Sequence, residues 1–135
     1  PGYLATAPGF RLSKELIPHL VLVQNALPTH YSAQGLQLYK QLARDYDLPY
    51  TYQNLQFQVL SSMMVLVEGL KNAGRDIDRT RLQEELESIK DFHTGLTHTV
   101  TFARQKHLGN PYLFLLQINK QSNQVEPRGR LTWGE

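Results

Sequence analysis

Five histidines are the first candidates for chemistry in this chain, because neutral imidazole is a common metal ligand and titrates close to neutral pH. His93 and His98 stand five residues apart, and in a strand or loop that spacing sends them to different faces. Only Asp91 stands near them as a further ligand, so no metal site is expected and the histidines read as surface or hydrogen-bonding groups. No serine lies in a Gly-x-Ser-x-Gly elbow, and Ser61-Ser62 falls inside a helical pattern, where hydroxyls permit close packing. Glu84-Glu85 belongs to a charged helix face, and the isolated glycines build no phosphate loop. With no cysteine in the chain, thiolate catalysis, disulfides and cysteine zinc sites are excluded. The expectation is a protein that is not an enzyme and uses no cofactor and no metal.

Binding chemistry has better candidates. Tyr46, Tyr50 and Tyr52 surround Pro49 at a helix-to-helix junction. Tyr50 and Tyr52 offer a flat stacking wall and a phenolic hydroxyl to a small ligand. Covering the ends of two helices is their more ordinary use. The loop Thr6-Ala7-Pro8-Gly9-Phe10 follows an apolar strand pattern and precedes a short helix. In open α/β sheets the carboxyl ends of strands border ligand crevices, and a free backbone N–H with the Thr6 hydroxyl suits a carboxylate. An ordinary tight turn accounts for the loop equally well. The candidate ligand-binding residues are therefore Thr6, Ala7, Pro8, Phe10, Tyr50 and Tyr52.

The elements that must position these residues are legible from pattern. Tyr3 to Ala7 predicts a short strand ended by Pro8-Gly9, and Ser13 a cap for a short helix over Lys14 to Ile17. His19 to Ala26 predicts a strand buried on both faces, since Leu20, Val21, Leu22 and Val23 form a continuous apolar run. Ser32 is a good N-cap for a helix reaching about Tyr46, with Leu36, Tyr39, Leu42, Ala43 and Tyr46 on one stripe. A longer helix runs from about Tyr52 to Asn72, its wide apolar face assigned to Leu55, Val59, Leu60, Met63, Met64, Leu66, Val67 and Leu70. Gly74 fits the residue after its C-terminus. Asp78 caps a third helix with Leu82, Leu86 and Ile89 inward and the charges Arg79, Glu84, Arg81 and Glu85 toward solvent. Thr97 to Phe102 alternates like a strand. Arg104 to Pro111 reads as a loop, and Tyr112 to Asn119 with Gln124 to Arg128 as a hairpin. Such broad apolar helix faces exceed what these few strands can cover, so a missing partner layer is expected.

At 135 residues, 41% hydrophobic and 19% charged, the composition suits one globular domain with a real core. The formal charge of +2 is small, and the basic residues are scattered among acidic ones, which argues against nucleic acid as a partner. The pattern holds no run long enough to span a bilayer. The start at Pro1, without a Met, adds to the expectation of a fragment.

From residue 52 onward the phrases fall in a familiar order. Met63 to Asp76, containing Gly69-Leu70-Lys71-Asn72-Ala73-Gly74, resembles the long helix of type I periplasmic solute-binding proteins. Arg81 to Ile89 is similar to the helix that follows it there. Asp91-Phe92-His93-Thr94-Gly95-Leu96-Thr97 with Val100-Thr101-Phe102 resembles the family's crossing segment and strand. Tyr112 to Ile118, with Val125-Glu126-Pro127 and Trp133, resembles its final strands. The nearest resemblance is to the branched-chain amino-acid type of ABC-transporter binding protein.

That resemblance implies an α/β fold: two α/β lobes joined by crossover strands and closing on a ligand. This chain would be the C-terminal portion of such a fold. Residues 1–18 would belong to the C-terminal lobe, 19–95 would supply a crossover strand and helices of the N-terminal lobe, and 96–135 would return to the C-terminal lobe. The implied function is extracytoplasmic capture of an amino-acid-like or organic-acid ligand, in the periplasm or outside a bacterial cell, for a membrane permease of an ABC transporter. The partners implied are the small molecule, that permease, the missing N-terminal part of the same protein and, through unpaired sheet edges, a domain-swapped homodimer. The loop Thr6 to Phe10 lacks the acidic residue that amino-acid binders of this family often place there, so a less cationic ligand is expected. A sensing domain of the same fold in a signalling or redox protein, or a helical protein-interaction module, are the alternatives.

Overall fold

The computed structural model describes residues 19–119, 121 and 125–133. The strand expected at Tyr3 to Ala7 and the short helix expected at Lys14 to Ile17 lie outside them. The described chain is mixed α/β, with three α-helices and a three-stranded antiparallel sheet.

Strand β1 (Val21–Gln24) is shorter than the apolar run suggested. It forms one edge of the sheet, with Val21 53% exposed and its neighbours half-buried, so burial on both faces is not what these residues have. A 3-10 turn, Pro28–His30, follows. Helix α1 (Ala33–Asp45) begins where Ser32 takes an extended conformation and its Oγ accepts the Gly35 N–H at 3.0 Å. That bond satisfies one of the helix's orphan donors. Tyr39 and Ala43 carry its buried stripe, and Tyr46 lies beyond it in solvent.

After a second 3-10 turn, Tyr50–Tyr52, helix α2 (Gln53–Ala73) runs for 21 residues. It is stopped by Gly74 at φ 76°, a conformation glycine adopts without steric cost. The buried ridge of α2 is Phe57, Ser61, Val65, Gly69 and Ala73, and not the face expected from its bulkiest residues. Leu55, Val59, Met63, Val67 and Leu70 are 41–56% exposed on the other side. Both sides are apolar enough to be an interior face, and periodicity alone does not rank them. The ridge that wins has small residues where close approach is needed. A Cβ on Gly69 would stand 2.6 Å from Leu86 Cδ2.

Helix α3 (Arg79–Ser88) packs along α2, capped by Asp78, whose Oδ1 accepts the Arg81 N–H at 2.8 Å. Its inward residues are Leu82, Leu86 and the following Ile89, as the spacing predicts. The opposite charges at Arg79, Glu84, Arg81 and Glu85 form no ion pair; among the described residues Lys71 pairs with Glu68, and His107 Nδ1 lies 3.8 Å from Glu87 Oε1.

The expected strand at Thr97 to Phe102 is reduced to one antiparallel bridge between Phe92 and Val100. The neighbouring amides turn elsewhere: Thr101 N–H donates to Gly109 O and Phe102 N–H to Ile89 O. With three different acceptor segments, no ladder forms. The expected hairpin is present as β2 (Tyr112–Ile118) and β3 (Val125–Thr132), the second strand running past the expected end at Arg128, with Tyr112 opposite Thr132 and Ile118 opposite Val125. Leu115 faces Gly129 and Leu116 faces Pro127, so Arg128 is the extra residue of a bulge. A bulge on an edge strand is where a strand proline is tolerated.

Two apolar clusters hold the helical part together. One joins Tyr39, Ala43, Phe57 and Leu96; the other joins Val65, Ile89 and Val100. The sheet makes no extended helix-on-strand layer. It meets the helical part through the segments at 25–31 and 95–111.

Candidate functional site

Along the flank of α2, between its buried ridge and the strand-and-loop layer, runs a groove made of two cavities. The first, about 400 Å³, lies between Val23 to Ala26, Tyr31, the α2 residues Asn54, Leu55, Phe57 and Gln58, and Leu96, Thr97 and Leu113. The second, about 370 Å³, continues past Ser61, Ser62, Val65 and Leu66 to Leu86, Val100, Phe102, Gly109 and Asn110. Asn25, Gln58 and Thr97 border both and form the waist.

Each waist residue is set by local structure. Gln58 is on α2 one turn after Asn54, so both amides project along one flank. Asn25 follows β1, where Asn110 Nδ2 donates to its carbonyl at 2.9 Å and ties the strand exit to the loop before β2. Thr97 ends a chain of hydroxyls. Ser61 Oγ donates to Thr94 Oγ1 at 3.0 Å, Thr94 Oγ1 lies 3.1 Å from Thr97 Oγ1, and Thr97 donates to His98 O at 3.1 Å. Thr94 also accepts the Leu96 N–H at 3.3 Å. These bonds satisfy the two buried hydroxyls of the core, Ser61 and Thr94, as burial requires.

The side chains of Asn25, Asn54 and Gln58 make no hydrogen bond of their own among the described residues. A carboxamide is both donor and acceptor, so the groove presents unspent hydrogen-bonding groups between apolar walls. No charged side chain lines either cavity. Burial pushes the Tyr31 phenol up, so Tyr31 is a neutral donor at neutral pH. The site can hold an uncharged group of mixed character; it has no counter-charge for an ammonium or a carboxylate.

Of the residues singled out from sequence, Thr6, Ala7, Pro8 and Phe10 lie outside the described residues. Tyr50 and Tyr52 flank the start of α2, 64% and 46% exposed, and line neither cavity. The residues that do converge, Asn25, Gln58 and Thr97, come from a strand exit, a helix and a bend, and carry no local motif. His93 and His98 do not meet; His98 instead meets His30, 68 positions earlier, edge to face at 5.0 Å between ring centroids. Among the described residues no three His, Asp or Glu side chains gather as a metal site would need. No described helix is long and apolar enough to cross a membrane. No protein-family model, curated protein or solved structure matches the chain.

Proposed function

We propose that this chain is the ligand-capturing part of an extracytoplasmic solute-binding protein, which takes up an uncharged small molecule and passes it to the membrane permease of an ABC transporter. The observation that carries this reading is the groove: apolar walls, three unspent carboxamides and no charge. That set matches a molecule with an apolar body and an amide or hydroxyl group. The exposed ridge Leu55-Val59-Met63-Val67-Leu70 supports the rest of the proposal, because a helix apolar on both sides is made to be covered on both. Additional polypeptide of the same receptor is the cover that the order of the resembling segments implies.

Native mass spectrometry of the gene product as the cell makes it, purified without refolding, tests the proposal. A neutral adduct released on denaturation, on a chain heavier than this one, is the expected result. Added amides and alcohols of the same size should then raise the melting temperature, and Gln58→Leu should abolish the rise. A bound α-amino acid, or no bound molecule and no response to either class, defeats it.

The same exposed ridge favours a second reading, a helical interaction module that docks a partner chain. Sedimentation of the 135-residue chain at several concentrations separates the two readings. A monomer at all concentrations, alongside a ligand response, leaves the first standing alone.

A further inference from the structure

We infer that the ring cluster of His30, His98, Tyr112, Phe114 and Arg130 is a pH-sensitive latch between the sheet and the helical part, closed while the His30 imidazole is neutral and opened when it takes up a proton.

The geometry is that of a shared seam. His30 ends the turn that leads into α1, and His98 lies in the bend next to Thr97. Their rings meet edge to face at 88°. His30 also lies 5.0 Å from Phe114, and His98 lies 4.8 Å from Tyr112. Both aromatic partners belong to β2, so the two imidazoles rest on the central strand from the helical side. Arg130 of β3 lies over Tyr112, its guanidinium carbon 4.5 Å from the ring centroid.

At His30 the neutral form is built into the bonding. His30 Nδ1 accepts the Leu27 N–H at 3.0 Å, which needs an unprotonated nitrogen lone pair. His98 Nδ1 lies 3.2 Å from Thr99 O and 3.1 Å from Thr99 Oγ1. The ionisable groups facing the cluster are His30 from the turn, His98 from the bend, Tyr112 from β2 and Arg130 from β3. Each is neutral or cationic. Glu126, the acid of β3, is held by Asn119 at the far end of the strand pair, at 2.8 Å. A proton arriving on His30 therefore meets a second imidazole and a guanidinium, and no carboxylate among the described residues pairs with the cluster. Burial, and then His98, holds the His30 imidazole below its ordinary value.

The sign follows from linkage. A histidine that binds protons more weakly folded than unfolded contributes its full stability above the unfolded value of 6.5. As pH falls through 6.5 the unfolded chain takes up the proton first and stability drops. The loss levels off once pH lies below the folded value.

Urea unfolding of the full chain between about pH 7.5 and about pH 5, alongside imidazole NMR titration, reads the latch directly. His30→Asn keeps an acceptor near Leu27 N–H and removes the titration; His93→Gln removes an exposed histidine outside the cluster. We expect the wild-type midpoint to fall with acid, most of that fall to be lost in His30→Asn, and His93→Gln to follow the wild type. In the NMR titration, wild-type His30 should titrate below 6.5 and move up when His98 is replaced by Asn. An acid dependence unchanged in His30→Asn, or a wild-type His30 titrating at or above 6.5, overturns the latch. The NMR arm decides even if a variant does not fold.

Discussion

Two glycines do different work in this molecule, and the difference is testable. Gly35, in the first turn of α1, faces the Gly95 backbone: a Cβ there would press into the Gly95 carbonyl, which cannot swing away. The Ser32 N–H donates to that same carbonyl at 2.9 Å, and Gly95 itself sits at φ 71°. Gly35→Ala should therefore cost about 1–3 kcal/mol by overpacking, read as a lower midpoint in chemical denaturation. Gly69 faces side chains and no backbone, those of Leu86 and, at ordinary contact distance, Leu82. Gly69→Ala regains helix propensity worth about 1 kcal/mol and should leave the midpoint near that of wild type. A larger loss at Gly69 than at Gly35 would refute this account of the two contacts. At this scale the sequence was informative about caps: Ser32, Asp78 and Gly74 all stand where their types predict, because a cap depends on a few neighbouring backbone groups. It was silent about Asn25, Gln58 and Thr97, whose meeting depends on residues 33 to 72 positions apart in the chain.

At the scale of elements the decisive case is α2. No charged residue stands between Asp47 and Glu68, so the hydrophobic pattern contains two overlapping stripes, and bulk favours Leu55, Val59, Met63 and Val67. Burial goes instead to the ridge with Phe57, Ser61 and Gly69, because that ridge can approach Leu96, Thr94 and Leu86 closely. Phe57→Ala should then cost about 3–5 kcal/mol. Val59→Gln and Val67→Gln should each change the unfolding free energy of the isolated chain by no more than about 0.5 kcal/mol. A cost at Val59 or Val67 approaching that at Phe57 would mean that the outer ridge is covered in solution. The segment 97–102 makes the converse point. Its alternation is that of a strand, yet a strand needs one continuous neighbour, and its amides are divided among Phe92, Ile89 and Gly109.

For the whole molecule, neither apolar cluster of the helical part contains a residue of the sheet. The apolar clusters draw on α1, α2 and the segments around Ile89, Leu96 and Val100, whereas β3 is exposed along nearly its whole length. Native-state hydrogen exchange should consequently show two levels of protection, with mid-α2 amides slowest and the β2–β3 ladder faster. A single level shared by both would show that the seam couples them fully. Lowering the pH should widen the gap if the His30–His98 cluster is the latch proposed here.

The amino-acid sequence by itself determined the mixed α/β class, the three helices with their caps and stops, the final hairpin, and the lack of cysteine chemistry. These follow from interactions within a few residues, which local pattern encodes. Tertiary structure alone decided which side of α2 is interior, that 97–102 is not a ladder strand, that Tyr50 and Tyr52 stay outside the groove, and that His98 meets His30. Each of those depends on which distant surface comes closest, a matter of shape and mutual hydrogen bonding that no single segment contains.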